Sequence, residues 1–143
     1  MRTKKPLIAI VDDDESVCRA LERLLRSLGL AAESYASGAD FMHRLEAFPV
    51  SRPDCVILDA QMPDMNGIEV QARLAGVRQH IPVVFITAHD DRNVMERALA
   101  GGAVAFLRKP CNDALFIRTL EAALEGREAE HQRSNVAKIK NQS

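Results

Sequence analysis

Four short apolar runs in this chain each lead into residues that can do chemistry. Leu7-Ile8-Ala9-Ile10-Val11 meets Asp12-Asp13, and Cys55-Val56-Ile57-Leu58 meets Asp59. Pro82-Val83-Val84-Phe85-Ile86 meets Thr87, and Ala103-Val104-Ala105-Phe106-Leu107 is followed by Arg108-Lys109-Pro110. Taken singly, an acidic run after a strand is a solvated turn, and a lone lysine belongs to the surface. Brought to one edge together, they form a site. Three carboxylates at about 4 Å repel one another by about 4 kcal/mol per pair at an effective dielectric of about 20, before screening. Such a group calls for a cation, and hard all-oxygen ligands suit Mg²⁺, or Mn²⁺ in its place. A lysine and a threonine hydroxyl beside it complete a cradle for a phosphoryl group. The chain has no GxxxxGK[ST] or GxGxxG loop, so that phosphate is not expected to be held as a nucleotide. A carboxylate can itself be the nucleophile and form an acyl phosphate. Asp59, alone at the end of its run, is the best placed to do so.

The elements that must position these residues alternate along the chain. Continuous apolar runs such as 7–11 and 55–58 are the pattern of strands buried on both faces. Between them lie helical spacings. Val17, Leu21, Leu24, Leu25 and Leu28 share one face, and Gly29 stops that helix. A weaker strand follows near Ala31–Tyr35. Ser37 caps a second helix with Phe41, Leu45 and Phe48 inward, ended by Pro49. Residues 61–67 read as a loop. Ile68, Val70, Leu74 and Val77 mark a third helix, and Val94, Met95, Ala98 and Leu99 a fourth, opened by Asp90 or Asp91 and broken by Gly101-Gly102. The last strand is expected over Ala103–Leu107. Asn112 or Asp113 caps a final helix carrying Phe116, Ile117, Leu120, Ala123 and Leu124. Five strands alternating with five helices predict an α/β doubly wound parallel sheet with helices on two faces. Ligands in such sheets bind at the carboxyl ends of the strands, where the strand order reverses. The acidic and polar residues stand at those ends.

Composition narrows the function classes. A chain of 143 residues with 47% apolar and 27% charged residues suits one globular domain rather than a disordered segment. The net charge of −1 gives no whole-chain basic footprint, and 4% aromatics with no Trp argue against a stacking surface for single-stranded nucleic acid. No apolar run approaches a membrane span. Three widely spaced cysteines (Cys18, Cys55 and Cys111) form no CxxC pair, which argues against zinc and a disulfide framework and for a reducing cytoplasm.

In order and spacing, these motifs resemble one family. Val11-Asp12-Asp13-Asp14-Glu15, Ile57-Leu58-Asp59 followed by Met62-Pro63-Asp64-Met65-Asn66-Gly67, Phe85-Ile86-Thr87-Ala88, and Gly102-Ala103-Val104-Ala105-Phe106-Leu107-Arg108-Lys109-Pro110 are similar to the receiver domain of two-component response regulators. Ile86-Thr87-Ala88-His89-Asp90 with Gly101-Gly102-Ala103 is closest to the FixJ and TodT type. The resemblance implies a flavodoxin-like sheet in the order 2-1-3-4-5. It makes Asp59 the acceptor of a phosphoryl group from a sensor histidine kinase. Asp12 and Asp13 form the acidic pocket and, with Asp59 and the backbone carbonyl of Gln61, hold Mg²⁺. Thr87 and Lys109 contact the phosphoryl group, Lys109 pairs with Asp59 at rest, and Phe106 turns inward when Thr87 moves. Gln61 and His89 occupy positions that tune dephosphorylation, and Pro110 follows a cis peptide bond. The resemblance further implies that the helix 4, strand 5 and helix 5 face then changes, and that the phosphorylated chain forms a homodimer through it or frees an output domain.

The resemblance spans a receiver over 6–125. Residues 126–143 are rich in helix formers and too polar for a new core, so they read as a helical linker or tail. In the FixJ type such a stretch precedes a helix-turn-helix output domain that controls transcription. That domain is not in this chain, so no specific nucleic-acid binding is expected of it alone. The alternative is a stand-alone receiver acting through protein contacts. A phosphohydrolase of the haloacid dehalogenase type would want a second Asp where Gln61 stands, and a degenerate pseudo-receiver would not retain all five polar residues. The chain is therefore expected to be a switch, with at most slow self-dephosphorylation, and not an enzyme. Cys111 stands where receivers often carry an aromatic or other apolar residue and reads as a small hydrophobe.

Overall fold

The computed structural model describes residues 5–48, 52–76 and 80–126. The elements run β1 (Leu7–Val11), α1 (Glu15–Ser27), β2 (Ala31–Tyr35), α2 (Gly38–Ala47), β3 (Cys55–Asp59), α3 (Gly67–Leu74), β4 (Val83–Thr87), α4 (Arg92–Ala100) and β5 (Ala105–Arg108). A fifth helix, α5, occupies 113–126. All five strands are parallel, in the order β2-β1-β3-β4-β5. This is the doubly wound sheet expected from the alternation, in the flavodoxin-like order that the resemblance implies.

The two-residue period of the strands sorts the core into two layers. Ala9, Val11, Val56, Leu58, Val83 and Phe85 face α2, α3 and α4, where Phe41, Leu45, Val70, Leu74 and Ala98 are buried. Their sequence neighbours Ile8, Ile10, Cys55, Ile57, Val84 and Ile86 face Cys18 and Leu25 of α1 and Phe116, Leu120 and Ala123 of α5. Each fully buried Val, Leu, Ile or Phe contributes about 1.5–3 kcal/mol relative to exposure. Continuous apolar runs in β1, β3 and β4 are therefore needed, because both faces of each strand are covered.

Polar residues set the helix boundaries. The Asp14 carboxylate accepts from the backbone N–H of Ser16 and Val17 at the start of α1. Ser37 caps α2, Asn66 and Glu69 form a reciprocal capping box on α3, and Asp91 caps α4. The Asn112 side chain accepts from Ala114 and Leu115 N–H at the start of α5.

Several boundaries and faces differ from the sequence reading. Strand β5 starts at Ala105, two residues later than Ala103. The reason is the stop of α4: Gly102 takes φ +96°, its N–H reaches the Leu99 carbonyl, and the Ala103 N–H returns to the Ala98 carbonyl. This is the glycine-dependent C-terminal motif of helices, and it keeps Ala103 out of the sheet. Phe48, expected inward, is 53% exposed, and the Arg44 guanidinium lies 4.2 Å from its ring centroid. Leu28 and Leu99 are also exposed, at the last turns of their helices. Pro49, Val77 and residues 127–143 lie outside the described residues. Among those described, no helix is long and apolar enough to cross a membrane.

Candidate functional site

The strand order reverses between β1 and β3, and the two acidic motifs flank that crevice. Val11 pairs with Leu58, so Asp12 and Asp59 leave adjacent strands at the same level. Thr87 closes β4 and pairs with Arg108, which puts Lys109 one step beyond on the same edge. Parallel register thus converts four separate sequence positions into one cluster.

Oxygens of Asp12, Asp13 and Asp59 all lie within 4.8 Å of one another. Asp12 and Asp59 are buried, whereas Asp13 faces solvent. Lys109 reaches between the buried pair, its Nζ standing 2.7 Å from Asp12 Oδ2 and 3.7 Å from Asp59 Oδ2. The lysine therefore lies nearer Asp12 than Asp59, and shares its charge between them. The second oxygen of Asp12 accepts from Asp14 N–H at 2.9 Å, and Asp59 Oδ1 accepts from Gln61 N–H at 3.3 Å. Thr87 is 1% exposed, and its Oγ1 accepts from His89 N–H at 3.2 Å. The hydroxyl proton is left free to donate. Phe106 is half-buried and stacks on Phe85, with ring centroids 5.8 Å apart. The Lys109–Pro110 peptide is cis, as the motif implied.

Electrostatics follow from this packing. Burial, and then the neighbouring Asp12 charge, push the Asp59 carboxyl up from 3.8 to about 6; Lys109 and the Gln61 N–H oppose the rise without cancelling it. Burial works to lower Lys109. The hydrogen bond to Asp12 and the charges of Asp59 and Asp12 outweigh it, and the ammonium is held above its ordinary value. Three hard oxygen donors sharing one cation fit a small divalent ion such as Mg²⁺, which favours carboxylates and retains water. The carboxylate repulsion that adds to burial in raising Asp59 is what such an ion relieves.

Two supporting contacts were invisible in the sequence. Gly67 opens α3 against β3: a Cβ there would sit 2.5 Å from the Asp59 carbonyl oxygen and 3.0 Å from Ala60 Cα. The Cys18 thiol donates to the Asp12 carbonyl at 3.3 Å, and burial raises that thiol's pKa. The Asn-Gly pair at 66–67 signals a capped helix start, but nothing in it signals the close approach. Gln61 and His89 are exposed and line one open cleft beside the cluster. Asp14 caps α1, and Asp64 is an exposed loop residue with φ 69°.

Known proteins share this architecture and its sequence. TodT, a response regulator protein of Pseudomonas putida, is 36% identical over 139 residues, covering 97% of this chain and 59% of TodT. FixJ, a transcriptional regulatory protein of Rhizobium meliloti, is 35% identical over 119 residues, covering 82% of this chain and 56% of FixJ. The chain thus spans little more than half the length of these relatives. A response regulator receiver protein from Burkholderia phymatum has a solved structure that is 63% identical, with a TM-score of 0.77, covering 85% of this chain and 96% of that one. The model of the response regulator receiver domain family matches residues 8–121. With an acidic cluster at the reversal point of a 2-1-3-4-5 sheet, and with relatives of this identity and coverage, the chain belongs to the response regulator receiver domain family.

Proposed function

We propose that this chain is a phosphorylation-controlled switch in which Asp59 accepts a phosphoryl group from a sensor histidine kinase. The observation that carries the reading is Asp59 itself, buried at the crevice between β1 and β3 with Asp12, Asp13 and Lys109 around it. The ionised Oδ of Asp59 attacks the phosphorus of a phosphohistidine. A P–O bond forms, the P–N bond breaks, and the released imidazole nitrogen takes up a proton. The product is an acyl phosphate.

Asp12, Asp13, Asp59 and the Gln61 backbone carbonyl would hold Mg²⁺, which when bound neutralises charge on the phosphoryl oxygens. Lys109, already shared between two carboxylates, can turn its ammonium to the new phosphoryl oxygens. Thr87 can donate its free hydroxyl proton to the same group. Drawing Thr87 toward the phosphoryl group vacates space into which Phe106 can turn and biases the face made by α4, β5 and α5. Leu99, Val104 and Leu115 of that face are 45%, 41% and 42% exposed, which supports homodimerisation there. Gln61 and His89, lining the cleft beside Asp59, tune the slow loss of the phosphoryl group. The relatives' greater length supports a receiver over 6–125 and a linker over 126–143 that lead to an output domain controlling transcription, in a cytoplasmic regulator. Phosphotransfer from purified kinases tests the reading. Wild type is expected to gain a hydroxylamine-labile, Mg²⁺-dependent label that Asp59→Asn lacks; label of equal yield in that variant would overturn it.

A further inference from the structure

Gln71 is one of four buried polar or charged residues in the described core, and the other three belong to the acidic cluster or to Thr87. It lies on α3, and its Nε2 donates to the Ala98 carbonyl of α4 at 2.8 Å. That carbonyl also receives the Ala103 N–H at 3.1 Å, in the motif that ends α4. Gln71 therefore grips the stop of α4. The grip is close: a Cβ at Gly101 would lie 2.8–2.9 Å from the Gln71 amide atoms. The Gly101 backbone, at φ −79° and ψ 3°, would accept alanine. The nearest obstacle to it is the Gln71 amide.

The other end of α4 is held differently. Ala98 is the one fully buried residue of this helix, while Val94 and Met95 are half-buried and Arg92, Asn93 and Glu96 are exposed. The N-terminal half borders an open cleft of about 560 Å³, lined also by Gln61 and His89 from the loops beside Asp59 and Thr87. One end of α4 is clamped by a buried hydrogen bond, and the other adjoins open space next to the acidic cluster.

We infer that Gln71 is a positioning residue that makes the C-terminal end of α4 a pivot, so that the N-terminal half of α4 is the part that moves when the site is occupied. This deepens the switch reading above and rests on it for the signal. The clamp also fixes where the chain leaves α4: Val104 N–H bonds to the Val83 carbonyl, and β5 then carries Phe106 and leads to Lys109. Swinging about Gln71 lets α4 respond to Asp59 without moving the origin of β5.

Amide hydrogen exchange resolved by NMR tests this on wild type, Gln71→Met, Gly101→Ala, Gln71→Ala and the Gln71→Ala Gly101→Ala double variant. In wild type the amides of Gly101, Gly102 and Ala103 should exchange more slowly than those of Val94 and Met95. Beryllofluoride with Mg²⁺ should change the latter pair and leave the former within about twofold. Gln71→Met keeps the volume and loses the donor. The three amides of the stop should then exchange about tenfold faster, the factor for one net hydrogen bond, with β1 and β3 amides unchanged as proof of folding. Gly101→Ala should do the same by displacing the amide, and should add nothing once residue 71 is already alanine. Equal beryllofluoride responses at both ends of wild-type α4, or unaltered exchange at 101–103 in Gln71→Met, would overturn the pivot. Absence of a bound-beryllofluoride fluorine resonance would fault the switch reading instead, because the exchange gradient and the effect of Gln71→Met are read without it.

Discussion

Replacing Asp59 by asparagine should stabilise the metal-free protein, and the pH dependence of that gain should expose its cause. The folded-state pKa of Asp59 is raised from 3.8 to about 6 by burial and by Asp12. A group raised on folding favours the native state fully below its unfolded pKa, and that contribution is lost as pH climbs through the folded value. The ionised carboxylate thus costs the fold about 3 kcal/mol at neutral pH. The rise to about 6 already includes the attraction of Lys109, 3.7 Å away; the substituted amide would keep an oxygen for the Gln61 N–H but set its NH2 against the Lys109 ammonium, a mismatch of about 1 kcal/mol. The net gain should be about 2 kcal/mol, or a Tm rise of about 4–8 °C for a chain near this size. Urea melts of both proteins in EDTA, from pH 4 to pH 8, give the difference directly, because every other titrating group is common to the pair. The difference should be near zero at pH 4 and grow between pH 4 and 7. A variant less stable than wild type at pH 7.5, or a difference independent of pH, would refute the electrostatic reasoning.

The same cluster yields three further predictions. Mg²⁺ at about 100 times its Kd should stabilise wild type by about 2.7 kcal/mol in thermal melts, and an Asp13→Asn Asp59→Asn double variant should lose most of that shift. Lys109→Met should destabilise the metal-free fold by about 2–3 kcal/mol and push the Asp59 titration further upward, as followed by carboxyl carbon NMR, because the two buried carboxylates lose their shared cation. Gly67→Ala should cost at least about 2 kcal/mol in denaturant melts, since the added methyl meets the Asp59 carbonyl and Ala60 backbone, neither of which can yield like a flexible side chain.

The sheet was legible because β1, β3 and β4 are buried on both faces and so appear as unbroken apolar runs ending in Asp12, Asp59 and Thr87. Their parallel pairing then makes the acidic cluster a consequence of topology, which is why the sequence alone groups Asp12, Asp13, Asp59, Thr87 and Lys109. What sequence periodicity could not supply was tertiary competition at element ends. Phe48 has helical spacing for the core, yet as the C-cap of α2 it turns outward under Arg44. Ala103 is apolar enough for β5, yet its N–H serves the stop of α4. Gln71 looks like any surface polar residue on α3, and only the approach of Gly101 and the Ala98 carbonyl makes it a buried donor. The preference of Lys109 for Asp12 over Asp59 is a matter of one ångström. No motif encodes it.

Trapping the phosphorylated protein with borohydride and locating the reduced residue by mass spectrometry tests the central claim most directly. The reagent reduces an acyl phosphate to the alcohol at the residue that carried it. After incubation with a phosphodonor and Mg²⁺, the modification should map to Asp59 alone and be absent from Asp59→Asn. Modification at Asp12, Asp54 or Asp64 in wild type, or undiminished label in Asp59→Asn, would contradict the assignment of Asp59 as the phosphoacceptor.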